Sequence, residues 1–386
     1  LADYAGRVLE AQRRRYSRTG QLTAVTEDNI DAPPYFIYNT VYSNGVPWAA
    51  ITDQNQPIPQ FRSISTKAAF GWHYLYPSNE YAQKVFDAVK DLRSPKNDGF
   101  YAGLYETTQK PNTSLTGNTN GLILEILYYK ARGNRPLIGQ ADLASTSVTP
   151  PPIAPVNVST KSSTCPRLSK PLSLVERRYA QAAWQYFRAN AQATGLINDR
   201  SDFKGLTLWG LGDYLAALRA ARTLEVITPE DFNQRIRQLF GTIRQLPLYG
   251  GELPNRGYDP WSLQPVDYGG NPMPNGTGWS AADLGRFLSA LYGLKTCYPE
   301  YADAADRIVL DWSYVRVVRD RALYSGIVTQ DETGRMLTRT LPETRLGYSE
   351  YAARAFQLWG FEVDRVAVGG QYAKANVEGF EVPTQR

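Results

Sequence analysis

The sequence predicts an all-α fold: an α/α toroid of about five to six helical hairpins with long loops. Three observations predict it. Amphipathic segments recur along the whole chain, convincing strands are few, and a unit repeats: helix, Thr-Gly turn, loop, helix, helix, Tyr-Gly loop, helix. Repeated helical hairpins must bury each other's faces. A closed ring does this without leaving uncapped ends.

In chain order, residues 2–16 read as an amphipathic helix, followed by helices near 65–76, 79–92 and 119–131. Residues 173–191 carry Leu174, Tyr179, Ala183, Trp184 and Phe187 at helical spacing. A helix at 207–225 follows. Thr228-Pro229-Glu230-Asp231 then opens another: a capping hydroxyl, Pro in the first turn and acids at the positive end of the dipole. The last helices are expected near 279–296, 300–318 and 347–360. The echoes lie between them. Thr19-Gly20 and Thr194-Gly195 each follow a helix, and Thr116-Gly117 and Thr277-Gly278 each open one. The 386 residues read as one domain of two related halves, 1–135 and 173–386. They are joined by a Pro/Ser/Thr-rich excursion at 136–172, expected to lie packed over the toroid. Cys165 lies in it and Cys297 ends a predicted helix. A disulfide between them would pin the excursion in an exported protein; two unpaired thiols is the other reading.

Composition excludes several classes. The single histidine, His73, removes most zinc enzymes and every His-based triad not using it, and two cysteines cannot build a zinc ribbon or an iron–sulfur site. A net charge of +5 is no nucleic-acid signature, and Arg13-Arg14-Arg15 reads as the solvated face of the first helix. Glu27, Asp28 and Asp31 lack the spacing of a calcium loop, and no phosphate loop or dinucleotide fingerprint occurs. No metal or cofactor is therefore expected. No run of about 18 apolar residues occurs either. The chain begins at Leu1, which fits a removed signal or anchor. Tyrosine is the informative residue, with 26 Tyr against 13 Phe. It joins a flat apolar face to a polar tip, as sugar clefts require, although it also pads helix packing.

Inner-helix ends and loops of a toroid face a central funnel. Glu125, Asp213, Asp283 and Glu350 each sit within the first two turns of a predicted inner helix. An acid that recurs in every repeat reads as a structural tie to loops or backbone amides. Asp199 and Glu252 differ, since they lie on loops. Asp199 adjoins Arg200, which would keep it ionised, and Glu252 follows Gly250-Gly251 beside aromatics, which would raise its pKa. Glycoside hydrolysis needs that division, one carboxyl protonated as acid and one ionised as base. A loop salt bridge for Asp199–Arg200 and a turn cap for Glu252 is the competing reading. Sugar platforms are expected from Trp209, Tyr249, Tyr258, Trp261, Tyr268 and Trp279. For Trp209 the glycines at 210 and 212 offer close helix packing instead.

Several motifs together resemble the bacterial DUF3131 family: Thr194-Gly195-Leu196 to Asp199, Leu208 to Ala217, Glu252-Leu253-Pro254-Asn255, Gly278 to Arg286, and Leu346 to Arg354. That family is similar in outline to glycoamylase-like α/α toroids, in which a glutamate commonly precedes the Ser-x-x-Asp helix start. Here Gly278-Trp279 stands in that place. The resemblance implies an exported, periplasmic or extracellular protein that handles exopolysaccharide or envelope glucan. It implies either a hydrolase, with Asp199 and Glu252 catalytic and Asp213, Asp283, Glu350 and Arg200 supporting, or a non-catalytic glycan binder. A polysaccharide synthase or export complex is a further expected partner.

Overall fold

The computed structural model describes residues 2–137, 165, 168–330, 332–333, 335–364 and 373–384. Ten α-helices lie among them: α1 Ala2–Thr19, α2 Thr66–Leu75, α3 Glu80–Val89, α4 Gly117–Ala131, α5 Leu174–Asn190, α6 Leu208–Thr223, α7 Pro229–Ile243, α8 Ala281–Cys297, α9 Ala302–Leu310 and α10 Tyr348–Leu358. The even-numbered helices form an inner row in which each packs on the next, α2–α4–α6–α8–α10. The odd-numbered helices lie outside them, so the chain makes five outer–inner pairs.

Burial separates the two sets. Outer α7 buries Phe232, Ile236, Leu239, Phe240 and Ile243, one face of an amphipathic helix. Inner α6 buries nearly every residue from Leu208 to Ala221, including Asp213 and Arg219. Glycines let the inner helices approach so closely. A Cβ at Gly212 would meet Arg286 Cγ at 2.8 Å and Phe287 N at 3.0 Å, and one at Gly285 would meet Ala352 Cα at 2.6 Å. Any side chain at either position would force neighbouring helices apart and open voids along the core.

A loop segment joins the ends of the inner row. In the antiparallel pair Glu27–Asn29/Phe36–Asn39, Asp28 lies 3.7 Å from Lys67 of α2, and burial, helped by the charge of Glu27, raises the pKa of Tyr348 of α10.

The toroid is not all-α, which corrects the sequence expectation. Strands account for 21% of the structure. Short ones precede the inner helices: Ser63–Ser65 before α2, Pro111–Leu115 before α4, Leu206–Thr207 before α6 and Gly278–Trp279 before α8. A long hairpin, Ala322–Gln330 with Met336–Pro342, pairs with Gly278–Trp279. The strand-to-helix junctions are built alike. Thr116, Thr207 and Ser280 leave the strand and cap the helix, accepting from the amides of Thr119, Gly210 and Asp283. The helix expected over 300–318 stops at Leu310; Trp312 then packs on Phe287 and the chain turns into the hairpin.

Cys165 and Cys297 form a disulfide, fastening the excursion to the end of α8. The rest of the excursion from 138 to 164, with 166 and 167, lies outside the described residues. The reading of the basic run of α1 is corrected at Arg15, while Arg14 stays exposed. Arg15 is buried and makes a two-pronged ion pair with Glu106 at 2.8–3.0 Å, and Arg14 stacks on Phe380. Among the described residues no helix is long and apolar enough to cross a membrane.

Candidate functional site

The capped starts of the inner helices collect carboxyls in two layers. The deeper layer is tied. Arg286, on α8, donates Nε to Asp213 at 2.8 Å, Nη2 to Glu125 at 2.8 Å and Nη1 to the Tyr351 hydroxyl at 3.3 Å. Asp213 also accepts from Asn118 at 2.8 Å, and Asn118 accepts from Lys67 at 2.7 Å. One hydrogen-bonded chain therefore runs through α2, α4, α6, α8 and α10. The two carboxylates hold the Arg286 guanidinium well above its ordinary pKa despite burial. Asp213 and Glu125 are thereby held to the helix framework. Glu350 is held too, accepting from its own helix start at Gly347 N, 2.6 Å away.

The outer layer holds Asp199 and Asp283. Asp199 Oδ2 accepts from the amide and hydroxyl of Thr207, both at 2.7 Å, and that same hydroxyl caps α6. The carboxyl lies so close over α6 that a Cβ at Gly210 would overlap it, which explains that glycine. Its other oxygen, Oδ1, has no hydrogen-bond partner among the described residues. Desolvation pushes the Asp199 pKa up to about 7; the Thr207 bonds oppose the shift, and Asp213 and Asp283 add to it. The side chain keeps some exposure while protein surrounds it on most sides.

Asp283 accepts from Ser280 Oγ at 2.9 Å and has no other hydrogen-bond partner among the described residues. Its pKa is raised: desolvation, with Glu343 adding to it, outweighs the downward pull of Ser280, Arg256 and Arg345. Arg345 is itself fastened to buried Glu343 through two bonds of 2.7 and 2.8 Å. Arg256 bonds the Trp279 carbonyl at 3.3 Å and the Tyr268 hydroxyl at 3.5 Å. Two cations therefore sit near Asp283 and oppose that rise.

The electrostatic premises for the loop acids are corrected. Arg200 turns away from Asp199 to pair with Asp202 and stack on Tyr35, so burial governs Asp199. Glu252 is partly exposed and held by Arg316 at 2.6 and 3.2 Å, which lowers its pKa. A carboxyl so paired is poorly suited to stay protonated as a general acid.

The aromatics divide as sharply. Trp279 is 0% exposed: it donates to the Tyr324 carbonyl at 2.9 Å and lies on Gly326, whose missing side chain makes room for the ring. Tyr258 is 2% exposed, its hydroxyl bonded to Asn255 N and the Pro247 carbonyl. Both are core residues, not platforms. Tyr249 is half-buried, packs on Trp279 and bonds the Thr338 hydroxyl. Trp209 remains half-exposed, 5.5 Å from the ring of Tyr348 and 6.1 Å from that of Tyr351, and so forms a wall with α10. Trp261 at 45% and Tyr268 at 64% are exposed in the loop after Tyr258. Sequence reasoning missed Arg286, Arg256, Arg345 and Tyr348. The first left a signal: an arginine next to a helical glycine on a helix expected to be buried.

With this geometry in hand, the profile of the family described as "Protein of unknown function (DUF3131)" matches residues 1–133 and 178–386. The chain belongs to the DUF3131 family. A search of curated proteins gives no match. Among solved structures the chain is similar to a D-mannose isomerase, at 12% identity and a TM-score of 0.47 over 91% of this chain and 80% of that one. It is similar to a family 105 glycoside hydrolase of C. acetobutylicum, at 12% identity and a TM-score of 0.42 over 78% and 72%. An alpha-amylase from Clostridium perfringens follows, at 12% identity and a TM-score of 0.40 over 73% and 67%. Likeness this partial transfers no activity, and the functional reading rests on the residues of this DUF3131 protein itself.

Proposed function

We propose that this protein is a glycoside hydrolase acting on a bacterial exopolysaccharide or envelope glucan, with Asp199 as general acid and Asp283 as its ionised partner. One observation carries the reading. Asp199, bonded to the Thr207 cap of α6, and Asp283, in the first turn of α8, each lack an arginine bond and each keep an oxygen unengaged by the described residues. Asp199 keeps its proton to about pH 7, so it can deliver it to the leaving glycosidic oxygen. Asp283, whose pKa burial raises against the opposing pull of Ser280, Arg256 and Arg345, would in its ionised form take the proton of the attacking water or bond the anomeric carbon directly. Trp209, Tyr348 and Tyr268 supply faces and hydroxyls for sugar rings. The Cys165–Cys297 disulfide supports action in an oxidising compartment, periplasmic or extracellular.

The test is reducing-end release from a panel of bacterial glucans and exopolysaccharides, with thermal-shift binding on the same panel. Asp199→Asn and Asp283→Asn should each lower turnover by about two to four orders of magnitude. Undiminished release in both variants would overturn the assignment. A thermal shift without release by the parent protein would make it a glycan-binding protein instead.

A further inference from the structure

A second recess lies on the outer wall, away from the funnel. It encloses about 510 Å³ between α5, the loop after α3 and the turn into α7. Arg178, Gln181, Gln185 and Arg188 of α5 line it, with Arg93 from the loop. The spacing 178, 181, 185, 188 is one helix face, so the two α5 arginines stand about 15 Å apart along the groove. Their charge is largely unspent. Arg178 has no hydrogen bond or ion pair among the described residues, Arg188 bonds only neutral Gln185 at 3.2 Å, and Arg93 has only a loose exposed contact to Asp91 at 3.7 Å. The acid at the edge, Asp231, is already matched by Arg235 at 2.8 Å. Three guanidinium groups around one open groove favour an extended anion.

We infer that this groove is an accessory binding site for a carboxylate-bearing polysaccharide strand. Guanidinium forks match carboxylates in two-pronged bonds, and the glutamine amides between them suit sugar hydroxyls. The lining argues against single-stranded nucleic acid, which needs exposed aromatic faces for base stacking. The one aromatic present, Trp184, is 2% exposed and covered by Arg235. The choice of a polysaccharide rests on the funnel reading; the anionic character of the ligand does not.

The experiment is calorimetric titration of the whole protein with an oligogalacturonate. The comparison ligands are a neutral glucan oligomer of equal length, inorganic phosphate and a short single-stranded DNA. The oligogalacturonate should bind and weaken as salt rises. The double variant R178A/R188A should lose at least about tenfold in affinity, and R178K/R188K should recover only part of it, because lysine lacks the fork. Both arginines are exposed on α5, so unfolding midpoints should match the parent. Equal affinity in R178A/R188A, or equal binding of the neutral oligomer, phosphate or DNA, would overturn the site. Asp199→Asn separates the two claims: it should lower release by about two to four orders of magnitude yet leave this binding unchanged. Binding that survives while release was never detectable would sink the funnel reading and spare the groove.

Discussion

Asp213 and Asp283 are the same residue type near the starts of neighbouring inner helices, yet their surroundings are opposite. Asp213 is saturated: Arg286 holds one oxygen and Asn118 the other. Asp283 has one short bond to its own cap and two cations nearby that do not clasp it. Position in the repeat therefore does not decide what an acid does; its partners do. A fixed arginine marks a tie, and a missing one leaves a carboxyl whose second oxygen is available. Asp199 repeats the contrast against Glu252: desolvated and free of arginine on one side, clasped by Arg316 on the other.

The largest expected effect breaks the tied layer. Arg286→Ala leaves Asp213 and Glu125 facing each other as buried charges, and should cost about 3–5 kcal/mol of stability. Denaturant unfolding measures it, and a loss under about 1 kcal/mol would mean that the five inner helices do not depend on this chain of bonds. Asp283→Asn should behave in the opposite way. Its unfolding midpoint should stay near that of the parent while turnover falls by about a hundredfold or more. A variant that unfolds early with its specific turnover intact would place Asp283 among the ties.

Asp199 sharpens the comparison through pH. Its folded pKa, about 7, stands above the ordinary value near 3.8. The folded state therefore holds a proton that the unfolded chain has released, and stability from this group falls as pH rises from about 4 through about 7. Asp199→Asn removes the titration. The variant should match the parent near pH 4 and exceed it in melting temperature above pH 7, the gap opening between. Parent turnover should decline over that same upper range as the acid loses its proton. A melting difference independent of pH would show that Asp199 is ionised throughout.

Much of this frame was legible. The Thr116 start of α4, the Thr-Pro-Glu-Asp start of α7 and the recurrent acids are local signals, and local signals survive folding. The rim strands were not legible: pieces of two to five residues between glycines and prolines carry no alternation long enough to read. Trp279 and Tyr258 misled for a related reason. Aromatics in Gly-rich loops look like platforms, but Gly326 empties a space that Trp279 fills, and the pairing partner lies 45 or more residues away in sequence. The pKa premises failed on neighbours that no spacing reveals. Arg200 adjoins Asp199 in sequence yet turns to Asp202, while Arg316 reaches Glu252 from a distant loop.

That last pair supplies the smallest predicted effect and the sharpest check on the rule. The Glu252–Arg316 bridge lies on the surface, where solvent and salt screen it. Glu252→Ala should leave the unfolding midpoint unmoved and turnover within about twofold of the parent, since the acid it removes is already ionised and engaged. Arg316→Ala should do as little, except that freeing Glu252 raises its pKa toward the ordinary carboxylate value. The useful measurement is turnover against pH in both variants beside Asp283→Asn. If Glu252→Ala instead fell a hundredfold while Asp283→Asn did not, an arginine clasp would no longer mark a tie, and the contrast between the two layers would have to be redrawn around the rim.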